Sequence, residues 1–220
     1  MELAFLIIAL AVSVFLLYIL CRQDFVLLRQ NISLSQILDK AIIAIAFAFI
    51  TGRILFLINN FEISLLHAIR FFHFIKFPGI SSLGFFLGAS LALWFLMRGK
   101  KGILRIFDIF SISFFPLYAL SLAFKNYTGE LSFVLQIATF ILSLLIFIFF
   151  LRSHYKYLMR DGSISLILLL VISLDTLFYD YLNPGRHPVL LDLSITQILG
   201  IILASSSLVF LVLNQRKLKI

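Results

Sequence analysis

The sequence predicts an all-α, multi-pass membrane protein with seven transmembrane helices and one short interfacial amphipathic helix. Two observations carry that reading. Of 220 residues, 62% are hydrophobic and only 13% are charged, where a soluble domain is about half apolar and about a quarter charged. A soluble globule of this length needs a polar skin that such a composition cannot supply. The apolar residues also gather into runs of roughly 20, the length that crosses a bilayer. These features exclude an ordinary soluble enzyme, a disordered tail and a disulfide scaffold. Cys21 is the only cysteine, so neither an intramolecular disulfide nor a thiolate metal cluster forms. The runs fill the length, so residues 1–220 read as a single integral membrane domain.

The first span covers 3–20. It opens on Met1-Glu2 without a basic region, and its apolar run exceeds a signal-peptide core, so the expectation is a spanning helix and no cleaved leader. Tyr18-Ile19-Leu20 ahead of Cys21 lacks the small residues that precede a lipoprotein cysteine. The second span covers 41–59, and Ser33-Leu34-Ser35-Gln36 ahead of it has the form of a capping box. In 61–76 the polar residues Glu62, His67, Arg70, His73 and Lys76 recur at helical spacing among Phe and Leu. That pattern predicts a helix lying on the bilayer surface.

The third span, 80–98, carries Gly84 and Gly88 in a GxxxG pattern suited to close helix packing. The fourth, 104–124, has Asp108 in its first turn, where an acid suits the helix dipole, with Arg105 three residues earlier. Pro116 lies mid-span, where a kink frees backbone carbonyls. The remaining spans are 131–151, 163–182 and 193–213.

Cations set the orientation. Arg22, Arg29, Lys40, Arg98, Lys100, Lys101, Arg105, Arg152, Lys156, Arg160, Arg216, Lys217 and Lys219 fall on one side, and Arg70, Lys76, Lys125 and Arg186 on the other. The bias puts the N-terminus outside and the C-terminus in the cytoplasm. It also accounts for the net charge of +8 through an anionic leaflet, without nucleic acid.

Polar residues at depth are costly to keep and mark candidate sites. Arg53, in Thr51-Gly52-Arg53, lies about two turns from the outer end of the second span. Its guanidinium fork suits an outer-leaflet phosphate, and the alternative is simple snorkelling to the interface. Asp175 and Asp180 share the sixth span, about 140° apart around the helix. Arg186 and His187 follow in the outer loop. Lys125-Asn126-Tyr127-Thr128-Gly129-Glu130 carries groups that suit a polar headgroup or, equally, a turn. No P-loop, HExxH, GxSxG or dinucleotide fingerprint is present, and the four histidines show no metal spacing. The expectation is no metal and no cofactor.

The order of these features resembles the prolipoprotein diacylglyceryl transferases, diffusely but along the whole chain. The second-span Gly-x-Arg pattern of that family is similar to Ile50-Thr51-Gly52-Arg53-Ile54-Leu55-Phe56, with the glycine shifted next to the arginine. Its Ser-Phe-His-Gly-Gly-Leu run is similar to Ser81-Ser82-Leu83-Gly84-Phe85-Phe86-Leu87-Gly88, with Leu83 where the histidine stands. Asp108 and Pro116 fall at the family's acid and mid-span proline. Leu122-Ala123-Phe124-Lys125-Asn126-Tyr127-Thr128-Gly129-Glu130 keeps the Gly-Glu ending of the fourth-span signature and an approximate asparagine, with Leu122 at the arginine. In the sixth span Asp180 preserves an acid while both flanking arginines are replaced, and Gln197 matches a seventh-span glutamine.

The resemblance implies transfer of the diacylglyceryl group of phosphatidylglycerol to a lipobox cysteine thiol, forming a thioether and releasing glycerol phosphate. That chemistry asks for a cation on the leaving phosphate and a base for the thiol. Arg53 takes the first role, with Asn126 and Arg186 as further substrate-binding residues. Glu130 and Asp180 are the candidate catalytic carboxylates. The implied partners are phosphatidylglycerol and lipobox-containing preprolipoproteins in a bacterial plasma membrane. Two alternatives remain: an inactive relative that binds lipid or protein, and an unrelated seven-span transporter component.

Overall fold

The computed structural model describes residues 3–30, 32–60, 80–99, 102–123, 132–182 and 193–216. Long helices run over Leu3–Gln23, Leu34–Asn60, Ser82–Met97, Ile103–Ala123, Ser132–Tyr155, Ser163–Leu182 and Ile195–Arg216, with a short one at Phe25–Arg29. The amphipathic segment 61–76 lies outside the described residues, as do Asn126, Glu130 and Arg186.

Among the described residues, five helices are long and apolar enough to cross a membrane: Leu34–Ile58, Ile103–Leu122, Phe133–Tyr155, Ser163–Tyr181 and Ile195–Arg216. Ile7–Gln23 and Ser82–Met97 are shorter apolar helices. The 16 residues of Ser82–Met97 rise only about 24 Å, less than a hydrocarbon core of about 30 Å. The expected span 80–98 is therefore helical over a shorter length than its apolar run. The second helix begins at Leu34, well before the start of its apolar run, because Ser33 caps it and accepts a hydrogen bond from the Gln36 amide at 3.3 Å.

The chain forms two compact units. The first comprises Met1–Leu38, Gly99–Leu168 and Leu208–Ile220. Its centre is the helix Ile103–Ala123, which packs against both Leu3–Gln23 and Ser132–Tyr155. Phe115 is fully buried there. It stacks on Phe147 at 5.7 Å and meets the edges of Tyr118 and Phe150 at 5.7 and 5.5 Å. Aromatic pairs in these geometries add to the burial of their area. The helix runs on through Pro116.

Several chain segments that the charge count put on one side do meet at one end of this unit. Arg105 lies there with Asp24, His154 and Asp161, and Asn214 donates to the Asp161 carbonyl at 3.2 Å. Arg160 in turn donates to the Asn214 carbonyl at 3.0 Å.

The second unit comprises Asp39–Arg98 and Leu169–Ser207. Its helices Leu34–Asn60 and Ser82–Met97 approach backbone to backbone. A Cβ on Gly84 would stand 2.8 Å from the Thr51 carbonyl oxygen, and one on Gly88 would overlap the Thr51 hydroxyl. That hydroxyl lies 2.9 Å from the Gly84 carbonyl oxygen, so the closeness also yields an interhelical hydrogen bond. The GxxxG pattern thus performs the packing role expected of it. Gly88→Leu is expected to force the helices apart and cost about 1–3 kcal/mol, the usual range for overpacking. Thermal unfolding in detergent checks this: an unchanged midpoint would contradict the close packing.

Candidate functional site

Arg53 has no exposed surface at all. A snorkelling arginine would show its head at the lipid interface, whereas this side chain is covered by protein. Its guanidinium carbon lies 5.5 Å from the centre of the Phe56 ring, one turn further along the same helix. Cation–π attraction of this kind gains strength away from water. Gly52 beside it does not open a path for a headgroup. A Cβ there would press on the Ile80 side chain at 2.6 Å, and its carbonyl accepts from the Ser81 amide at 3.0 Å. Gly52 therefore serves the packing of the helix entry at Ser81, whose hydroxyl caps the helix by accepting from the Gly84 amide.

Asp180 belongs to the same unit and is also buried. Its Oδ2 accepts from the Thr196 hydroxyl at 2.7 Å and from the Ser194 hydroxyl at 3.3 Å. Both hydroxyls stand at the entry of the helix Ile195–Arg216. Ser194 and Gln197 form a reciprocal capping box: Gln197 donates its amide to Ser194 Oγ at 3.2 Å, and Gln197 Oε1 accepts from the Ser194 amide at 2.8 Å. The carboxylate thus sits at a helix N-terminus, where the macrodipole favours negative charge. The Ser194-x-x-Gln197 spacing was readable in the sequence as a capping signal. The acid it would hold was not.

Asp175 is half-buried. Arg53 and Asp180 are the two predicted site residues that lie among the described ones, and both fall in the second unit.

In the first unit, Asp108 differs from expectation. It lies beyond the first turn of its own helix, and it feels the charge of Arg105 without a direct hydrogen bond to it. Its Oδ2 accepts from the Gly162 amide at 2.7 Å and its Oδ1 from the Ser165 amide at 2.8 Å, so it caps the following helix. Gly162 has φ +89, a backbone conformation that a side chain strains. Asp108→Ala would leave two amides of the first turn without their acceptor. The expected loss is about 2 kcal/mol, the upper end for a cap. Asp108→Asn is expected to retain part of it. Equal thermal midpoints for wild type and Asp108→Ala would contradict the capping role.

The second difference is the buried cluster around Arg105. Arg105 Nε donates to Asp24 Oδ2 at 2.8 Å, Nη1 reaches Asp161 Oδ1 at 3.5 Å, and Nη2 lies 3.3 Å from His154 Nε2. The guanidinium also lies over the Tyr157 ring at 4.7 Å. Asp24 is at the same time the N-cap of Phe25–Arg29, accepting from the Val26 and Leu27 amides at 2.9 and 3.2 Å. Nothing in the local spacing joins residues 24, 105 and 154, so sequence reasoning missed the cluster. No group of His, Cys, Asp and Glu able to hold a metal ion occurs among the described residues.

Long apolar helices with polar and charged side chains buried among them define a helical, multi-pass membrane protein. The family model for prolipoprotein diacylglyceryl transferase matches residues 4–123, and the chain belongs to that family. No curated protein and no solved structure matches it.

Proposed function

We propose that this protein transfers the diacylglyceryl group of phosphatidylglycerol to the cysteine thiol of a lipobox, in a bacterial plasma membrane. The thiol sulfur forms a C–S bond to the glyceryl carbon, the C–O bond to phosphate breaks, and glycerol phosphate leaves. The thiol proton passes to a base. The observation that carries this reading is Arg53: a fully buried cation inside the family-matched segment. A charge at that depth in a span is costly to keep and marks a functional candidate; Arg105, also buried, stands instead at the start of its helix against the carboxylate of Asp24. Arg53 holds the departing phosphate, with Asn126 and Arg186 as further contacts to the substrate. Asp180 or Glu130 receives the proton. Seven spans, with the N-terminus outside, complete the arrangement.

A second reading is a relative that binds lipid without chemistry. Leu83 and Leu122 support it. They stand where the family pattern has a histidine and an arginine, and both are buried apolar core residues. Family membership sets aside an unrelated transporter component.

The test is the release of glycerol phosphate from phosphatidylglycerol by purified protein, with and without a lipobox peptide. Transfer predicts peptide-dependent release, cut steeply by Asp180→Ala and untouched by Lys100→Ala. Bound phosphatidylglycerol without release would establish the second reading instead. Equal activity in both variants would remove the assignment of Asp180.

A further inference from the structure

At the polar end of the first unit, the helix Phe25–Arg29 is too short to cross anything. It buries Leu27 and leaves Phe25 75% exposed, with Leu28 exposed beside it. Arg22 and Arg29 flank these two side chains and are exposed as well. A second exposed group follows the helix Ser132–Tyr155. Tyr155, Tyr157 and Leu158 each show more than half of their surface, and Arg152 and Lys156 lie among them.

The two groups are neighbours, because one buried side chain holds both. Arg105 binds Asp24, the cap of the short helix, at 2.8 Å, and its guanidinium lies 4.7 Å from the Tyr157 ring. Among the described residues the acidic groups here are Asp24, Asp161 and Asp108: Arg105 engages the first two, and Asp108 is taken up by the Gly162 and Ser165 amides. The remaining exposed cations Arg22, Arg29, Arg152 and Lys156 are left to face outward.

We propose that Phe25–Arg29 and Tyr155–Leu158 together form a docking surface for anionic phospholipid headgroups. The helices Leu3–Gln23 and Ser132–Tyr155 end at this surface, and Ile103–Ala123 begins there. It therefore stands at headgroup depth. Exposed aromatic and aliphatic side chains enter the acyl boundary, and the cations around them meet the phosphates. Charge complementarity selects the occupant: four outward cations favour an anionic lipid over a zwitterionic one. The buried Arg105 fixes the surface in place, so the short helix is held ready and is not ordered by the lipid.

The test places a fluorophore on Leu28→Cys. Cys21 is buried and is expected to stay unlabelled. The full-length protein is reconstituted into vesicles carrying headgroup-nitroxide phosphatidylserine or phosphatidylcholine. Phosphatidylserine is chosen because it is not the proposed substrate. The expected result is several-fold stronger quenching by phosphatidylserine, falling to parity in Arg29→Gln/Lys156→Gln. Both residues are exposed, so this variant keeps the fold. Arg29→Lys/Lys156→Arg is expected to retain the preference. Equal quenching by the two lipids in the wild type, or quenching by neither, would overturn the proposal.

Discussion

Arg53→Ala is expected to reduce diacylglyceryl transfer by about 100-fold or more, the scale seen when one preorganised donor to a developing anion is lost. As phosphate departs it gains charge, and a buried cation already fixed in place needs little reorganisation to meet it. Arg53 is fully buried with its guanidinium held near Phe56, so it meets that condition. Arg53→Lys sharpens the test. Lysine keeps the charge and loses the planar fork that grips two phosphate oxygens at once. Partial activity in Arg53→Lys is therefore expected, with a larger fall in kcat than in lipid binding. Helix content and thermal midpoint must be measured alongside, because removing a buried charge also disturbs its surroundings. Full activity in Arg53→Ala would remove Arg53 from the mechanism.

The largest stability effect is expected at Asp24. Asp24→Ala removes the cap of Phe25–Arg29 and takes the 2.8 Å carboxylate from Arg105, a side chain only 2% exposed. Breaking one partner of a buried pair commonly costs about 3–5 kcal/mol, because the remaining charge stays buried without compensation. Asp161 lessens the loss only in part, since its contact is longer at 3.5 Å and its side chain is 40% exposed. The double variant Asp24→Ala/Arg105→Leu is expected to recover much of the deficit, leaving chiefly the lost cap. A double-mutant cycle on thermal unfolding checks both statements. A double variant as unstable as the sum of the singles would show that the two groups do not act together.

The fold class was legible because membrane spans announce themselves through long apolar runs. Helix ends were legible where a cap was, as at Ser33, and less so where the apolar run continued past the last helical residue, as after Met97. The close packing at Gly84 and Gly88 was visible as a spacing. Arg53 was visible as an expensive residue, but its burial was not, because nothing in one helix says which neighbours cover it. The target of Asp108 lies 54 and 57 residues away at Gly162 and Ser165. The local rule that acids suit a helix's first turn pointed to the wrong helix. Asp24 and Arg105 are 81 residues apart, and their pairing follows from the packing of Leu3–Gln23 against Ile103–Ala123. Long-range polar contacts of this kind leave no periodic trace.

The central claim is tested most directly by the mass of the lipobox peptide after incubation with purified protein and phosphatidylglycerol. The account predicts a diacylglyceryl-thioether adduct on the cysteine with wild type and none with Arg53→Ala. An unmodified peptide with folded, lipid-loaded wild type would contradict it.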